Sequence, residues 1–244
     1  MNPDRSYVIC HMMITLDGKI TYGNVQGKDP QISVFGDYMD LYNSTHEKLE
    51  SNAWICGRKT MQEFTQESGT SLDEFKADDI DNEDYILKKD LNNYAVGIDT
   101  QGLLRWNENF LYIGTEKIDS NTFNLVTIVT TETPKQYLSY LKSKNISYIF
   151  AGEKVVNFKE VFTKLKSKFG IERILLEGGG SINGSVIDEE LIDEISLLIL
   201  PKVINNIEAP ALFYKELEVP KLHEFKLTSV EKLDKDVVWL RYEN

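Results

Sequence analysis

Two stretches of this chain set glycines beside groups that can bind or carry charge. In ILLEGGGSINGSVIDEE, residues 174–190, Glu177 and then Gly178, Gly179 and Gly180 follow directly on an apolar run. Each glycine loses more backbone freedom on folding than any other residue and packs no side chain, so three together need a reason. A strand that runs through glycines into a helix start aims backbone N–H groups and the positive end of the helix dipole at whatever lies beyond. Phosphate suits that geometry, and a Cβ would hold a pyrophosphate away from the backbone. A tight structural turn is the other reading of the same glycines. Glu177, at a strand's carboxyl end, would point into a cleft and accept hydrogen bonds from a polar ligand, or else meet a buried partner.

In AWICGRKTMQEF, residues 53–64, a second strand runs into Gly57, Arg58, Lys59 and Thr60. Gly57 permits a close turn, Thr60 offers a hydroxyl near the helix start, and the two cations suit a phosphate monoester. A solvated basic turn is the alternative. Two such junctions, one of them cationic, fit a cofactor with separated phosphates, and NADPH carries a pyrophosphate and a distinct 2′-phosphate. The dinucleotide fingerprint G-x-G-x-x-G is not met, because Asn183 stands where its third glycine belongs. The motif also comes late in the chain, which disfavours an ordinary Rossmann domain.

Asp17 and Lys19 in LDGK mark a turn after the first strand, since Asp-Gly is a strong turn signal. Functionally, that turn would sit at the cleft edge, with the backbone of Met13 to Thr15 against a nicotinamide carboxamide. His46 lies in a helical stretch, where a lone histidine is read as surface or packing, and it stays outside the catalytic set. With three histidines (His11, His46 and His223), two cysteines (Cys10 and Cys56) and no Cys-x-x-Cys, a metal site has little to be built from. Both cysteines fall in apolar strand-like runs and are read as buried thiols, not a disulfide.

The elements that must position these residues alternate. Strands are expected at Tyr7 to Met13, Ala53 to Cys56, Ala95 to Ile98, Phe110 to Ile113, Leu125 to Val129 and Ser147 to Ala151. Further strands are expected at Arg173 to Leu176, Asp193 to Ile204, Glu224 to Val230 and Val237 to Tyr242. Several are continuous apolar runs, as in a sheet covered on both faces. The spacing of Phe158, Val161, Phe162, Leu165 and Phe169 predicts a helix, with Asn157 as cap, Glu160 completing a capping box and Gly170 ending it. TPKQYLSYLKSKN predicts another, with Thr133 as cap and Pro134 at the first position. Tyr38, Leu41, Tyr42, Thr45 and Leu49 stripe a third through residues 37–51. From Glu67 to Asp84, eight carboxylates face a single lysine, Lys76. No apolar period runs through them, so an acidic surface insertion, about residues 65–93, is expected within one domain spanning 1–244. The architecture is α/β: a mainly parallel sheet with helices on both faces and an antiparallel C-terminal hairpin.

Hydrophobic content of 41% and charged content of 27% are those of a globular chain, not a disordered one. A net charge of −12 argues against a nucleic-acid or anionic-membrane surface but leaves room for a small phosphorylated ligand. No apolar run approaches a membrane span, and MNPDRSYVICHMM lacks the pattern of a cleaved secretion signal, so the cytoplasm is expected.

CGRKTM resembles the Gly-Arg-x-Thr element of dihydrofolate reductases. YVICHMMITLDGKI, YIFAGE and ILLEGGGSINGSVIDEELIDEISLLILPKVI are similar to the reductase domain of riboflavin-biosynthesis proteins, the RibD C-terminal-like family, which shares the dihydrofolate reductase three-layer fold. The resemblance implies NADPH-dependent reduction of a phosphoribosylamino-pyrimidine to its ribitylamino form, by hydride transfer to an imine-like carbon of the opened sugar. It implies cofactor contacts at Thr60, Gly152, Gly178, Gly179, Gly180, Ser181 and Ile182, beside Gly57 and Arg58. On the substrate side it implies that the family's acidic residue before the glycines falls on Glu177, the catalytic candidate, with Lys48 in place of a family arginine, and Asp17. It also implies a homodimer, to which ISLLILPKVI could contribute as an interface or as a core strand. The chain departs from the family at Phe64, where an aspartate is usual, and in GNVQGKDPQIS, where a tryptophan is missing. No deaminase signature is present, so only the reductive step is implied. Two alternatives stand beside this reading. One is another NADPH-dependent reductase such as a dihydrofolate reductase, which needs a buried carboxylate on the first long helix, with Asp37, Asp40 and Glu47 available. The other is a non-catalytic nucleotide-binding protein.

Overall fold

The apolar run YVICHMMIT becomes β1, Tyr7–Thr15, in a computed structural model of the chain. The structure describes residues 3–21, 35–65, 69–77, 80–87, 91–106, 110–113, 116–119, 123–216 and 221–244. After β1 come α1 (Met39–Lys48), β2 (Ala53–Gly57), α2 (Arg58–Thr65), β3 (Asn93–Ile98), β4 (Phe110–Ile113) and β5 (Glu116–Asp119). Then follow β6 (Phe123–Val129), α3 (Lys135–Ser143), β7 (Ser147–Phe150), α4 (Phe158–Phe169) and β8 (Arg173–Leu176). The last elements are α5 (Gly180–Asp188), β9 (Glu194–Leu200), β10 (Lys226–Lys232) and β11 (Val238–Glu243).

The chain divides into two compact units. One holds Tyr7–Ser51 and Arg173–Asn244; the other holds Asn52–Glu172 with the N-terminal stretch to Ser6. In the first, β1 runs parallel to β8, with Cys10 opposite Leu176, and parallel to β9, from Ile9 opposite Glu194 to Thr15 opposite Leu200. β11 joins β9 antiparallel, and β10 joins β11 antiparallel, which is the expected C-terminal hairpin. In the second, β2, β3, β6 and β7 pair in that order, all parallel, while β4 and β5 form a separate antiparallel pair. The α/β architecture with mainly parallel strands is therefore the one that the apolar runs predict. Val8, Ile9 and Cys10 of β1 and all of β2 are buried, as parallel strands covered on both faces must be. Both cysteines are buried.

Local signals mostly hold, with informative exceptions. α4 opens on Asn157, whose side chain accepts from the Glu160 amide at 3.0 Å, and closes on Gly170 in the left-handed region at φ 73°. The capping box is not completed: the Glu160 carboxylate accepts from the Gly152 amide at 3.1 Å, and the Asn157 amide donates to the Ala151 carbonyl. α3 begins at Lys135 with Pro134 as its cap residue. Thr133, expected as the cap, instead accepts from the Thr130 amide and donates to the Thr100 carbonyl. β9 stops at Leu200 and does not reach Ile204, because Pro201 has no N–H to give the ladder. β9 lies between β1 and β11, with Ile195, Leu198 and Leu200 of ISLLILPKVI buried and Leu197 and Ile199 partly exposed. The 37–51 stripe becomes a short 3-10 turn, Gly36–Tyr38, followed by α1, with Tyr38, Thr45 and Leu49 buried.

Within the acidic 65–93 stretch, residues 66–68, 78–79 and 88–90 lie outside the described residues, as does all of GNVQGKDPQIS. Its later part is tied down. Tyr85 exchanges two backbone hydrogen bonds with Tyr148 of β7, both 2.9 Å. The nearly buried Asp84 accepts from the Phe150 amide at 2.7 Å and pairs with Lys168 at 2.8 Å and Lys164 at 3.3 Å. A segment rich in carboxylates thus covers the strand edge of β7 with one residue and supplies a lysine-neutralised anchor with the next.

Candidate active site

β8 is an apolar strand of four residues, RILL, and Glu177 is the first residue past its carboxyl end. Ligands of open parallel sheets bind at that end of the strands. The Glu177 side chain is 14% exposed, and its Oε1 is buried with no hydrogen-bond partner among the described residues. Nε2 of His46, on α1, lies 3.6 Å from that oxygen. Burial pushes the Glu177 carboxyl up to about 8, against the opposing pull of a hydrogen bond from Tyr42. Glu177 is therefore a neutral acid at pH 7. Burial holds the His46 imidazole below its usual range, with Glu47 acting the other way.

A second layer fixes this pair. His11 on β1 is fully buried and stacks on Tyr42, with centroids 4.3 Å apart and planes 17° from parallel. The indole N–H of Trp239 donates to Ser196 Oγ at 2.8 Å, and His11 Nδ1 lies 3.0 Å from the same oxygen. The Nε2 of His11 faces Thr45 Oγ1 at 3.5 Å. Burial drives His11 down to about 3, so it is neutral at working pH. The Tyr42 hydroxyl donates to the His11 carbonyl at 3.0 Å. Tyr42 and His46 sit four residues apart on α1, one helical turn, and so share a face. That spacing was the available signal for His46, which sequence reasoning set aside.

The glycines have more than one cause. Gly178 takes φ 86°, and the Gly178–Gly179 peptide is cis. A Cβ on Gly180 would stand 2.3 Å from the Ala211 carbonyl oxygen, and one on Gly184 would stand 2.6 Å from that of Tyr214. The chain itself occupies this space: Tyr214 N–H donates to Gly180 O, Leu212 N–H to Gly18 O and Ile20 N–H to Pro210 O. Asn183, in the position of the missing fingerprint glycine, donates from Nδ2 to the Leu212 carbonyl at 3.1 Å. Residues 209–214, which carry no recognisable motif, thus seal one side of α5. Gly179 caps α5 without a side-chain hydrogen bond, and the Ile182 amide already donates to the Gly179 carbonyl at 3.0 Å, so the first-turn amides with the character of an anion site are those of Gly180 and Ser181.

Asp17 is exposed, and its oxygens accept from the Thr15 hydroxyl at 2.6 Å, the Ile204 amide at 3.2 Å and the Asn205 amide at 2.8 Å. The Thr15 bond, then those amides, hold its carboxyl down at about 2. These contacts are those of the structural turn that Asp-Gly predicts. Lys19 reaches the Ala209 carbonyl at 2.9 Å. Lys48 is not brought to Glu177: two residues on from His46 it leaves a different side of α1, pairs with Glu231 at 3.4 Å and lies over the Trp239 ring. Asp37 and Asp40 have side chains 86% and 64% exposed, and Glu47 is exposed too, so α1 offers no buried carboxylate of the dihydrofolate reductase kind.

In the other unit, Gly57 ends β2 and Arg58, Lys59 and Thr60 open α2. Two cations at a helix N-terminus repel the dipole unless an anion joins them, and among the described residues neither forms an ion pair. The donor set therefore fits a phosphate. Gly152 has φ 85°, and a Cβ there would stand 2.1 Å from Val155 O. Its amide is already given to Glu160, so the fold alone accounts for it.

The sequence pattern of the RibD C-terminal domain matches residues 6–239. The 2,5-diamino-6-ribosylamino-4(3H)-pyrimidinone 5′-phosphate reductase of Aquifex aeolicus is 32% identical over 100 residues, which is 39% of this chain and 44% of that protein. The match thus spans less than half of that relative. Among solved structures, RibD of Acinetobacter baumannii (form 2) covers 100% of this chain with 59% of its own, at TM-score 0.62 and 17% identity. A pyrimidine reductase-like protein from Corynebacterium diphtheriae covers 99% with 92% of its own, at TM-score 0.64 and 16% identity. At such identities these structures speak for the fold. Among the described residues no helix is long and apolar enough to cross a membrane.

Proposed function

The chain belongs to the RibD C-terminal domain family, and on that footing we propose that it is an NADPH-dependent reductase converting a phosphoribosylamino-pyrimidine to its ribitylamino form. The observation that carries this reading is Glu177: a carboxylic acid held neutral by burial at the carboxyl end of β8, one residue before the glycines that lead into α5. Reduction of a closed sugar ring consumes one proton, which goes to the ring oxygen as the C1′–O4′ bond opens. An acid still protonated at pH 7 can supply it. When bound, a reduced nicotinamide supplies the hydride that C1′ accepts.

The chain's own residues divide the remaining work. The amides at Gly180 and Ser181 would hold a pyrophosphate, with Ile182 beside them by contact only, and Gly178 and Gly179 keep side chains out of its way. Arg58, Lys59 and Thr60 would hold the 2′-phosphate, with Gly57 allowing close approach and Gly152 lining the cofactor by contact only. Lys48 has a surface pair weak enough to exchange for the substrate's phosphate, and Asp17 shapes the turn beside it. A dihydrofolate reductase reading is disfavoured by the exposure of Asp37, Asp40 and Glu47.

The test is a fluorescence titration with NADPH and NADH, followed by cofactor oxidation in the presence of the phosphoribosylamino-pyrimidine. Arg58→Ala should weaken NADPH about tenfold, the loss of one charge-assisted contact, and leave NADH little changed. Absence of NADPH binding would refute the reductase reading. Binding without turnover would favour the non-catalytic alternative.

A further inference from the structure

We propose that Glu177 and His46 hold one proton between them, and that His46 is a positioning residue that returns protons from solvent to Glu177; the second part rests on the reductase reading above. Glu177 Oε1 is buried and has no hydrogen-bond partner among the described residues, yet His46 Nε2 stands 3.6 Å from it. A slight approach makes a hydrogen bond between an acid and an imidazole. The two ends of the pair differ in access to water, because the His46 side chain is 29% exposed and that of Glu177 is 14% exposed.

The groups around the pair fix where the proton rests. From β1, His11 presents its ring edge to His46, with centroids 6.2 Å apart, and being neutral it brings no charge. From α1, Tyr42 works against protonation of Glu177, and among the described residues Glu47 favours a charged His46. β8 brings Glu177 itself. Burial raises the proton affinity of the acid and lowers that of the imidazole, so the resting pair is a protonated carboxyl donating to neutral Nε2.

The chemistry balances on that arrangement. The C1′–O4′ bond breaks with its electron pair on the ring oxygen, which takes the Glu177 proton; C1′ accepts hydride from the reduced nicotinamide. The reaction consumes one hydride and one proton, and leaves a buried carboxylate. At rest His46 carries its own proton on Nδ1, so it takes a solvent proton at Nε2 as the ring turns to water; turning back, the imidazolium passes that proton from Nε2 to the Glu177 carboxylate and is neutral again.

The first experiment needs neither substrate nor cofactor. Infrared spectra of the protein across pH should show the carbonyl stretch of a protonated carboxyl, absent in Glu177→Gln, with a midpoint near 8 in the parent. His46→Gln should lower that midpoint by about one pH unit, a tenfold change in proton affinity, and the smaller His46→Asn should do the same. In turnover, both His46 variants should lose kcat with KM little changed, and the alkaline limb of the kcat profile should move with the infrared midpoint. An unchanged midpoint in both variants, or no protonated carboxyl at pH 7 in the parent, would overturn the shared proton. A shifted midpoint with an unmoved kcat limb would overturn the relay. A shifted midpoint in a protein that fails to turn over the pyrimidine upholds the pair and removes the reductase reading alone.

Discussion

Replacing Glu177 by glutamine should make the protein more stable at pH 8 while lowering its activity. In the unfolded chain the carboxyl has its ordinary value of 4.5, and in the folded protein about 8. Between those values the folded state binds one proton more than the unfolded state, so stability falls as pH rises. Two imidazoles oppose this at lower pH: His11, pushed from 6.5 to about 3, and His46, held below 6.5. Both are protonated more readily when unfolded, so their contribution is lost as pH falls below 6.5. At pH 6.5 an unfolded imidazole is still half protonated, so the window from 6.5 to 8 is read as the difference between the parent and Glu177→Gln, from which the imidazole contributions drop out. Across those one and a half pH units, at about 1.36 kcal/mol per unit, the burial of Glu177 costs about 2 kcal/mol. For a chain of this size that is about 4–8 °C in Tm. Urea unfolding of the parent and of Glu177→Gln at several pH values in this window should show the parent falling by about this amount relative to the variant. Parallel pH curves would refute the reasoning, since they would mean that Glu177 is ionised in the folded protein and that the neutral acid on which the mechanism depends does not exist.

Further substitutions test the scaffold, with Gly170 as a control away from the site. Gly180→Ala puts a Cβ 2.3 Å from Ala211 O and should cost about 1–3 kcal/mol while opening residues 209–214 to limited proteolysis. Gly170→Ala, at φ 73° with open space around it, should cost about 1–2 kcal/mol and leave that segment protected. Arg241→Met removes the 2.6 Å partner of Glu194, a carboxylate only 1% exposed, and should cost about 3–5 kcal/mol in urea unfolding. Adding Glu194→Leu should recover much of that loss.

The residues legible from sequence were those whose type dictates local geometry. Asn157 and Gly170 bound α4 where periodicity and capping put them, and Asp17-Gly18 turns the chain after β1, because such preferences act over a few bonds. Glu160 and Thr133 show the limit. Each was placed by a local capping rule, and each gave its side chain to a neighbour that no local rule could see, the Gly152 amide and the Thr100 carbonyl. The same limit hid the Ala209–Tyr214 stretch, whose importance lies in hydrogen bonds to Gly18, Ile20, Gly180 and Asn183.

By itself the sequence determined the alternation of parallel strands and helices, the strand-to-helix glycine turns and the place of Glu177 at the end of β8, since apolar runs, glycine and strand ends write these features directly into the chain. Only the tertiary structure decided what Glu177 is. Its protonation depends on how completely β8, α1 and their neighbours exclude water, and its partner, His46, stands 131 positions earlier in the chain. The same structure showed that Gly180 and Gly184 make room for the chain's own backbone, because a missing Cβ has meaning only once the atom that would meet it is known.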